Sequence, residues 1–187
     1  MKNSLRKVIL AVIMVTAPLV ASEYAFQTDS LFAIEGGGSN IGVEHTGGVY
    51  DETSIANIGL KIGAQTESYR VFLSARYYDA DNLSTLNTYG GEVQYLFNFS
   101  KPVNFYLGAN AGVANVKIAI PGDPSESASE MYYGADAGFN IHATELIDVE
   151  IGARYLALQE DVVSTSGATV DGIVTAYASV IIKWKMD

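Results

Sequence analysis

Residues 90–99 of this chain read GGEVQYLFNF, and apolar and polar side chains alternate along them. Val93, Tyr95 and Phe97 fall in one set, whereas Glu92 and Gln94 fall in the other. A period of two is typical of a β-strand with two unlike faces. If the apolar set faces inward, the pattern predicts a soluble sandwich or barrel. If it faces outward, the pattern predicts a strand in contact with lipid.

The same alternation recurs after residue 30 and predicts eight strands. They cover residues 31–46, 54–65, 69–79, 88–99, 103–119, 131–143, 147–158 and 170–184. Short turns alternate with longer connections, and most strands are long enough to cross an outer membrane at a tilt. An even number of strands with this asymmetry is typical of bacterial membrane barrels, whose short turns are periplasmic. We therefore predict an all-β protein, an eight-stranded antiparallel up-and-down transmembrane β-barrel.

The composition of the two faces also favours the membrane alternative. The apolar sets of strands two to eight contain no charged residue and are rich in alanine in mid-strand, as at Ala109 and Ala137. Alanine fills a protein core poorly but is suited to contact with lipid. The opposite sets carry charged and amide side chains separated by glycines. Glu92 and Gln94 should therefore face the lumen of the barrel, and Tyr95 and Phe97 should face lipid.

Aromatic side chains of the apolar sets collect at both ends of the predicted strands. Near the short turns lie Tyr69, Phe97, Phe99, Phe105 and Trp184, and near the longer loops lie Tyr77, Tyr89 and Tyr133. Two aromatic girdles that bound an apolar band are typical of the two membrane–water interfaces. We expect these girdles to contact outer-membrane lipids and lipopolysaccharide.

The N-terminal segment has the layout of a secretory signal peptide. Lys2, Arg6 and Lys7 precede the apolar run 8–15, and small residues follow it. The run is much shorter than the roughly 20 apolar residues of a spanning helix, which disfavours a retained anchor. We expect cleavage after Ser22, so that residues 1–22 are a signal peptide and residues 23–187 form the barrel domain in the cell outer membrane.

Charge and composition exclude several kinds of partner. The chain has no cysteine and therefore no disulfide or thiolate metal site. Beyond residue 22, Asp and Glu greatly outnumber Lys and Arg, which excludes nucleic acid as a partner. Acidic residues, but no basic ones, occupy the longer loops and their edges: Asp51, Glu52, Asp79, Asp81, Asp123, Glu126, Glu130, Glu160, Asp161 and Asp171. Because they lack the spacing of a calcium loop, we expect no metal, and we expect no cofactor. Solubility beside the anionic lipopolysaccharide, weak bridging by divalent cations and recognition of an extracellular partner are the alternatives for these loops.

The chain resembles the small eight-stranded outer-membrane barrels of Gram-negative bacteria, the OmpA/OmpX-like, porin-like class. The resemblance is one of architecture and patterning over residues 23–187. The last strand, YASVIIKW at 177–184, is similar to the family's assembly signal, with Tyr177, Ile182 and Trp184 in place. Ser179 stands where glycine is usual, and the chain continues to Asp187. The resemblance implies insertion by the barrel-assembly machinery.

Charged residues on the polar faces predict a network inside the barrel. Eight strands enclose a space just wide enough to be filled by side chains. Counting outward from the turn at 144–146 places Asp136 across from Arg154, and counting around the 80–87 loop brings Arg76 close to Glu92. Because buried charges are costly unless paired, we predict a lumenal salt-bridge network. Its further members are Lys61, Glu35 and Glu150.

Two functional hypotheses compete for this network, and a third is more remote. The network can be a plug, which leaves a structural or surface-interaction role in the envelope, or a gate in a narrow channel for ions or small solutes. The third is a lipid-modifying enzyme: His142, Thr144 and Glu150 faintly resemble the His/Ser/Glu arrangement of outer-membrane lipid A deacylases. His142 lies at a short periplasmic turn and Thr144 replaces serine, so we predict that the chain is not an enzyme.

The glycine-rich stretch EGGGSN at residues 35–40 predicts an irregularity in the first strand. The apolar phase of the alternation shifts between Ile34 and Ile41. A β-bulge inserts one extra residue into a strand and shifts the phase of every residue that follows. We therefore expect a bulge between Ile34 and Ile41.

Overall fold

The computed structural model describes residues 28–45, 49–80, 83–100, 102–118, 126–158 and 168–185. Its strands are β1 (Asp29–His45), β2 (Val49–Gln65), β3 (Tyr69–Ala80), β4 (Leu83–Phe97), β5 (Val103–Ile118), β6 (Glu126–His142), β7 (Ile147–Leu158) and β8 (Ala168–Lys185). Each strand pairs antiparallel with its neighbours in the chain, and β8 pairs with β1 to close the barrel. The predicted eight-stranded antiparallel barrel is confirmed. In these ranges no helix is long and apolar enough to span a membrane.

Side chains point alternately into the lumen and out of the barrel, as the period of two predicts. On β3, Phe72 is buried and Leu73 is 60% exposed; on β4, Glu92 is buried and Val93 is exposed. Near the middle of the strands, the large apolar side chains that point out of the barrel are exposed. A soluble protein rarely exposes such a continuous apolar surface, so this wall is the face that lipid covers.

The outer ends of several strands extend further than the alternation predicts. β2 begins at Val49, β4 at Leu83 and β6 at Glu126, so part of each predicted loop is strand. Outside the membrane both faces of a strand meet water, and the apolar alternation that marks a strand is lost there. The predicted signal peptide 1–22 lies outside the described residues, as do these loop acids: Asp81, Asp123, Glu160 and Asp161.

The bulge predicted between Ile34 and Ile41 is wrong. The register of β1 with β2 runs without interruption from Asp29 to His45, and the register with β8 shifts only between Gly42 and Val43. Ile34 faces outward, whereas Ile41 is buried in the lumen. The apolar residues switch from the outward to the inward set because the lining of the lumen changes from polar to apolar along β1. The backbone itself keeps an unbroken alternation of inward and outward side chains.

Three apolar clusters separate the polar parts of the lumen. The largest lies toward the long-loop ends of the strands: Ile41, Ile55, Tyr78, Leu86, Ala114, Val116, Tyr132, Leu156 and Ile173. The second lies toward the short turns: Leu31, Ala33, Phe72 and Ile181. Leu96, Tyr106 and Tyr177 form the third. Glu35 on β1 and Arg76 on β3 lie between members of the first two clusters.

Candidate functional site: a charged network across the lumen

Glu35 of β1 is the centre of the network. Its carboxylate accepts hydrogen bonds from Arg76 Nε at 2.6 Å and from Arg154 Nη1 and Nη2 at 2.9 and 3.1 Å. Lys61 Nζ lies 3.2 Å from the same carboxylate. Glu92 accepts from Arg76 and lies 3.7 Å from Arg154 Nη2. All five side chains are buried, so these contacts tie together β1, β2, β3, β4 and β7.

The network continues toward the short turns through Glu150. This carboxylate accepts from Lys61 Nζ at 2.9 Å and from Arg70 Nη1 at 3.0 Å. Arg70 also donates to Gln65 Oε1 from Nε at 2.9 Å and from Nη2 at 2.7 Å. Arg70 Nη2 lies 3.5 Å from Asp148 Oδ2. Lys61 is thus the link between the Glu35 and Glu150 halves of one continuous network.

Asp148 anchors the end of the network nearest the short turns. It accepts from Asn140 Nδ2 at 3.0 Å and from Lys183 Nζ at 2.7 Å. His142 Nδ1 lies 2.8 Å from Oδ1, the oxygen that Lys183 also contacts, and because a carboxylate only accepts, the imidazole donates here. Asp148 is fully buried, whereas the side chain of His142 is 25% exposed. The pair therefore reaches from the lumen to its opening.

Asp136 does not form the ion pair with Arg154 that the turn geometry suggests. The two residues are Cα partners on β6 and β7, but Arg154 extends to Glu35 on the other side of the barrel. The carboxylate of Asp136 instead accepts from Gln94 Nε2 at 2.9 Å and Asn110 Nδ2 at 3.1 Å. Among the described residues, no Lys or Arg side chain lies within 4.0 Å of it.

Aromatic rings line two of the buried cations. The Arg154 guanidinium lies 4.3 Å from the centre of the Tyr177 ring, and Lys61 Nζ lies 5.3 Å from the same ring. Lys61 Nζ is also 5.0 Å from the Phe72 ring. Such cation–π contacts stabilise a desolvated cation. Tyr177 of the predicted assembly signal therefore faces the lumen, whereas Ile182 and Trp184 face outward.

The predicted girdle residues lie on the outer wall. Six of them are well exposed: Tyr69, Phe99 and Trp184 toward the short turns, and Tyr77, Tyr89 and Tyr133 toward the long loops. Phe97 and Phe105 are partly buried because their rings pack together, with centroids 5.7 Å apart. Tyr95 and Phe139, which were not assigned to a girdle, extend this row on either side.

The structure does not bring together the residues of the enzyme hypothesis. His142 contacts Asp148, and the Thr144 hydroxyl accepts from the backbone amides of Leu146 and Ile147 in its own turn. Glu150 is engaged by Lys61 and Arg70, as described above. In the ranges described, no three His, Asp or Glu side chains are arranged to hold a metal.

The predicted network lacks several members of the lumenal site, among them Arg70, Asp148 and Gln94. The signal for Asp148 was its position, because it has the same phase on β7 as Glu150 and Arg154 and therefore must also face the lumen.

A family model for the outer membrane protein β-barrel domain matches residues 8–173 of the chain. The chain belongs to this family. This membership agrees with the barrel fold and the apolar outer wall, and it identifies the chain as a protein of the outer membrane.

Solved structures of other bacterial barrels share the fold. Neisserial surface protein A is 16% identical, with a TM-score of 0.64 over 82% of this chain and 97% of that chain. Ail, the attachment invasion locus protein of Yersinia pestis, is 18% identical, with a TM-score of 0.53 over 83% of this chain and 99% of that chain. No curated protein sequence matches this chain. At this level of identity, the likeness shows the fold alone.

Proposed function

We propose that this outer-membrane barrel is closed to solutes and acts through its outer surface. The observation that carries the proposal is the position of Glu35, which binds cations from β2, β3 and β7. Because these strands surround the lumen, the bound side chains cross it. Ion pairs that cross an eight-stranded barrel occupy its interior and favour one closed register.

A second barrier lies in series with the network. The large apolar cluster at the long-loop end includes the fully buried rings of Tyr78 and Tyr132 and the side chains of Leu156 and Ile173. An ion that entered from outside would have to cross this apolar layer before it met Glu35. A desolvated ion does not enter such a layer without a large cost. The two layers together support a plug.

The outer surface offers a binding edge that the lumen does not. β2 pairs with β1 back to Val49, but its pairing with β3 stops at Ala56 and Asp79. Residues 49–55 therefore form a strand edge with no partner on the β3 side among the residues that the structure describes. An unpaired strand edge exposes a row of backbone donors and acceptors and is a template for an added strand.

The charge of this edge indicates which kind of partner it would take. The edge segment reads VYDETSI and contains two acidic residues and no basic one. Asp79, at the end of β3 next to it, is exposed. We therefore propose an extended polypeptide with basic residues as the extracellular partner. The names of Neisserial surface protein A and of the attachment protein Ail are in keeping with a surface role for such barrels.

Conductance of the chain from residue 23 onward tests the closed lumen. The protein is refolded into planar bilayers, and a heat-modifiable shift on a gel shows that it is folded. A folded, inserted barrel that passes no current supports the plug. Discrete and reproducible current steps would overturn it.

Peptide binding tests the edge. A fluorescent peptide of alternating lysine and valine is titrated against the barrel in nanodiscs, and its anisotropy is recorded. The double variant Asp51→Lys/Glu52→Lys should abolish binding, because it reverses the charge of the edge. The matched control, Asp123→Lys/Glu126→Lys, changes charge equally in another outer segment and should retain most of the affinity. Equal losses in both variants would indicate general charge attraction and would contradict strand addition.

One observation favours a narrow channel as a second candidate. Several buried polar atoms of the central layer have no partner among the described residues, including Glu92 Oε2, Arg154 Nε and Thr88 Oγ1. Buried polar atoms are usually satisfied by protein or by ordered water, so these atoms indicate hydration within the lumen. If the central layer is hydrated, the part of the lumen that an ion must cross without water is shorter. The conductance experiment decides between the two candidates.

A further inference from the structure

A cleft of about 470 Å³ opens at the short-turn end of the barrel. It is lined by Glu67, Asn98, Phe99, Ser100, Asn104 and His142. In outer-membrane barrels the short turns are periplasmic, so the cleft faces the periplasm. The outer edge of β2 is at the other end of the barrel, and the lumenal network reaches this surface only through the contact of Asp148 with His142. An inference about it is therefore independent of the proposed function.

His142 is held in one orientation within this cleft. Its Nδ1 donates to Asp148, and Asp148 is itself fixed by Lys183 Nζ at 2.7 Å and Asn140 Nδ2 at 3.0 Å. The second ring nitrogen, Nε2, is not engaged by Asp148 and is free to contact a molecule in the cleft. A buried carboxylate behind an imidazole is an arrangement that preorganises a binding group.

Asn104 supplies a second preorganised group. It is only 5% exposed, yet it lines the cleft. Its side chain makes no hydrogen bond to any residue that the structure describes. Its amide is not among the enclosed polar atoms of the described residues, so it is open to the cleft and offers two donors and an acceptor to whatever enters. Its neighbour across the β5–β6 pair, Asn140, is turned instead toward Asp148.

The rim of the cleft combines planar polar groups with an exposed ring. Asn98 Nδ2 donates to the backbone oxygen of Glu67 at 2.9 Å, which fixes its amide plane. Phe99 is 77% exposed, and its ring stacks on Phe97 with centroids 6.1 Å apart and planes at 11°. Glu67 adds a carboxylate, and none of the six lining residues is Lys or Arg.

We propose that the cleft binds a sugar ring of a periplasmic glycan, and specifically an amide-bearing amino sugar. Hydroxyl and amide groups in the plane of such a ring both donate and accept, which matches the carboxylate, two amides and imidazole of the cleft. The apolar face of the ring would lie on Phe99. Binding of this kind would hold the periplasmic end of the barrel to a glycan layer.

The test uses the chain from residue 23 onward in nanodiscs and the soluble tetramer of N-acetylglucosamine as the probe. NMR resonances of the Asn98 and Asn104 side-chain amides and of the His142 ring should shift and saturate, with a Kd of about 1 mM. Asn104→Ala and Phe99→Ala should each weaken binding about tenfold. Phe105→Ala is the matched control, because it removes a girdle ring that does not line the cleft, and it should leave the Kd unchanged.

Three results would overturn the proposal. The first is a folded barrel whose resonances do not move on addition of the probe. The second is saturation with an unchanged Kd in both cleft variants, which would place the site elsewhere. The third is equal affinity for the acyclic polyol sorbitol, which has hydroxyls but neither a ring nor an amide. Folding of each variant is checked by the heat-modifiable gel shift, so that loss of binding is not confused with loss of structure.

Discussion

The hydroxyl of Tyr106 on β5 lies against Gly152 of β7, two strands away. The ring crosses Gly138, its Cα partner on β6, and the hydroxyl meets that of Tyr177 at 2.7 Å. Tyr177, on β8, is in turn the Cα partner of Gly152. Two large rings thus share one level of the lumen with two glycines, and together they fill it.

A methyl group at Gly152 should therefore be costly. Its Cβ would overlap the Tyr106 hydroxyl, so Gly152→Ala should lower the free energy of unfolding by about 1–3 kcal/mol. Urea titration of the barrel in lipid vesicles measures this change. The penalty should shrink in a Tyr106→Phe background, because the overlapping oxygen is gone.

Gly38→Ala is the matched control for that substitution. A Cβ at Gly38 would meet no atom within 4 Å, so we expect a change of less than about 0.5 kcal/mol. If both glycine substitutions cost the same, backbone freedom rather than the Tyr106 contact would explain the effect at Gly152.

Neutralising Glu35 should destabilise the barrel more than any change of an exposed acid. Glu35→Gln leaves Lys61, Arg76 and Arg154 buried with one carboxylate fewer, and breaking a buried ion pair typically costs about 3–5 kcal/mol. Asp79→Asn removes the same charge at an exposed position and should change stability by less than about 0.5 kcal/mol. Equal unfolding midpoints for the two variants would show that the network contributes nothing to stability.

Arg154→Ala separates the plug from the gate. The variant removes one side chain that crosses the lumen, but it leaves the apolar cluster around Leu156 and Ile173 in place. We expect the folded variant to remain electrically silent in planar bilayers. Current steps in this variant but not in the parent chain would assign a gating role to Arg154.

A charge on the outer wall should report the depth of each position in the membrane. Ala109 is exposed at the middle of β5, so Ala109→Arg should cost about 2–4 kcal/mol in a bilayer. Val113 pairs with the girdle residue Tyr89, so Val113→Arg should cost about 0–1 kcal/mol. Unfolding in vesicles measures both, and a reversed order would contradict this placement of the membrane.

The alternation of side chains was sufficient to predict the strands because it is imposed locally by lipid on one face and the lumen on the other. Hairpin register was predictable only where the turn was tight. Counting from 144–146 gives the β6–β7 register that the structure has. Counting around the 80–87 loop brings Arg76 close to Glu92, and the two side chains do meet, but the Cα partner of Arg76 is Thr88 because β4 already begins at Leu83. The outer part of β4 lacks the apolar alternation that marks a strand, so the sequence pattern assigns it to the loop and misplaces the centre of the hairpin.

The partners within the lumen were harder to predict than its residues. Asp136 and Arg154 are neighbours along a hairpin, but long side chains in a narrow barrel reach strands on the opposite wall. Arg154 therefore binds Glu35, and Lys61 links Glu35 with Glu150, through contacts that arise only when the barrel closes. Counting along hairpins does not predict such contacts, and the hydrogen bond between the Tyr106 and Tyr177 hydroxyls across the lumen depends on closure in the same way.

The contact between Glu35 and Arg154 joins residues 119 positions apart in the chain. Until β1 meets β8, Glu35 is separated from Arg154, and a half-assembled sheet in lipid would carry unneutralised charge on its concave side. We therefore expect no stable intermediate in which some strands of the barrel are inserted and others are outside. Its insertion should therefore be a single cooperative event, in which closing the sheet and neutralising its interior are the same step.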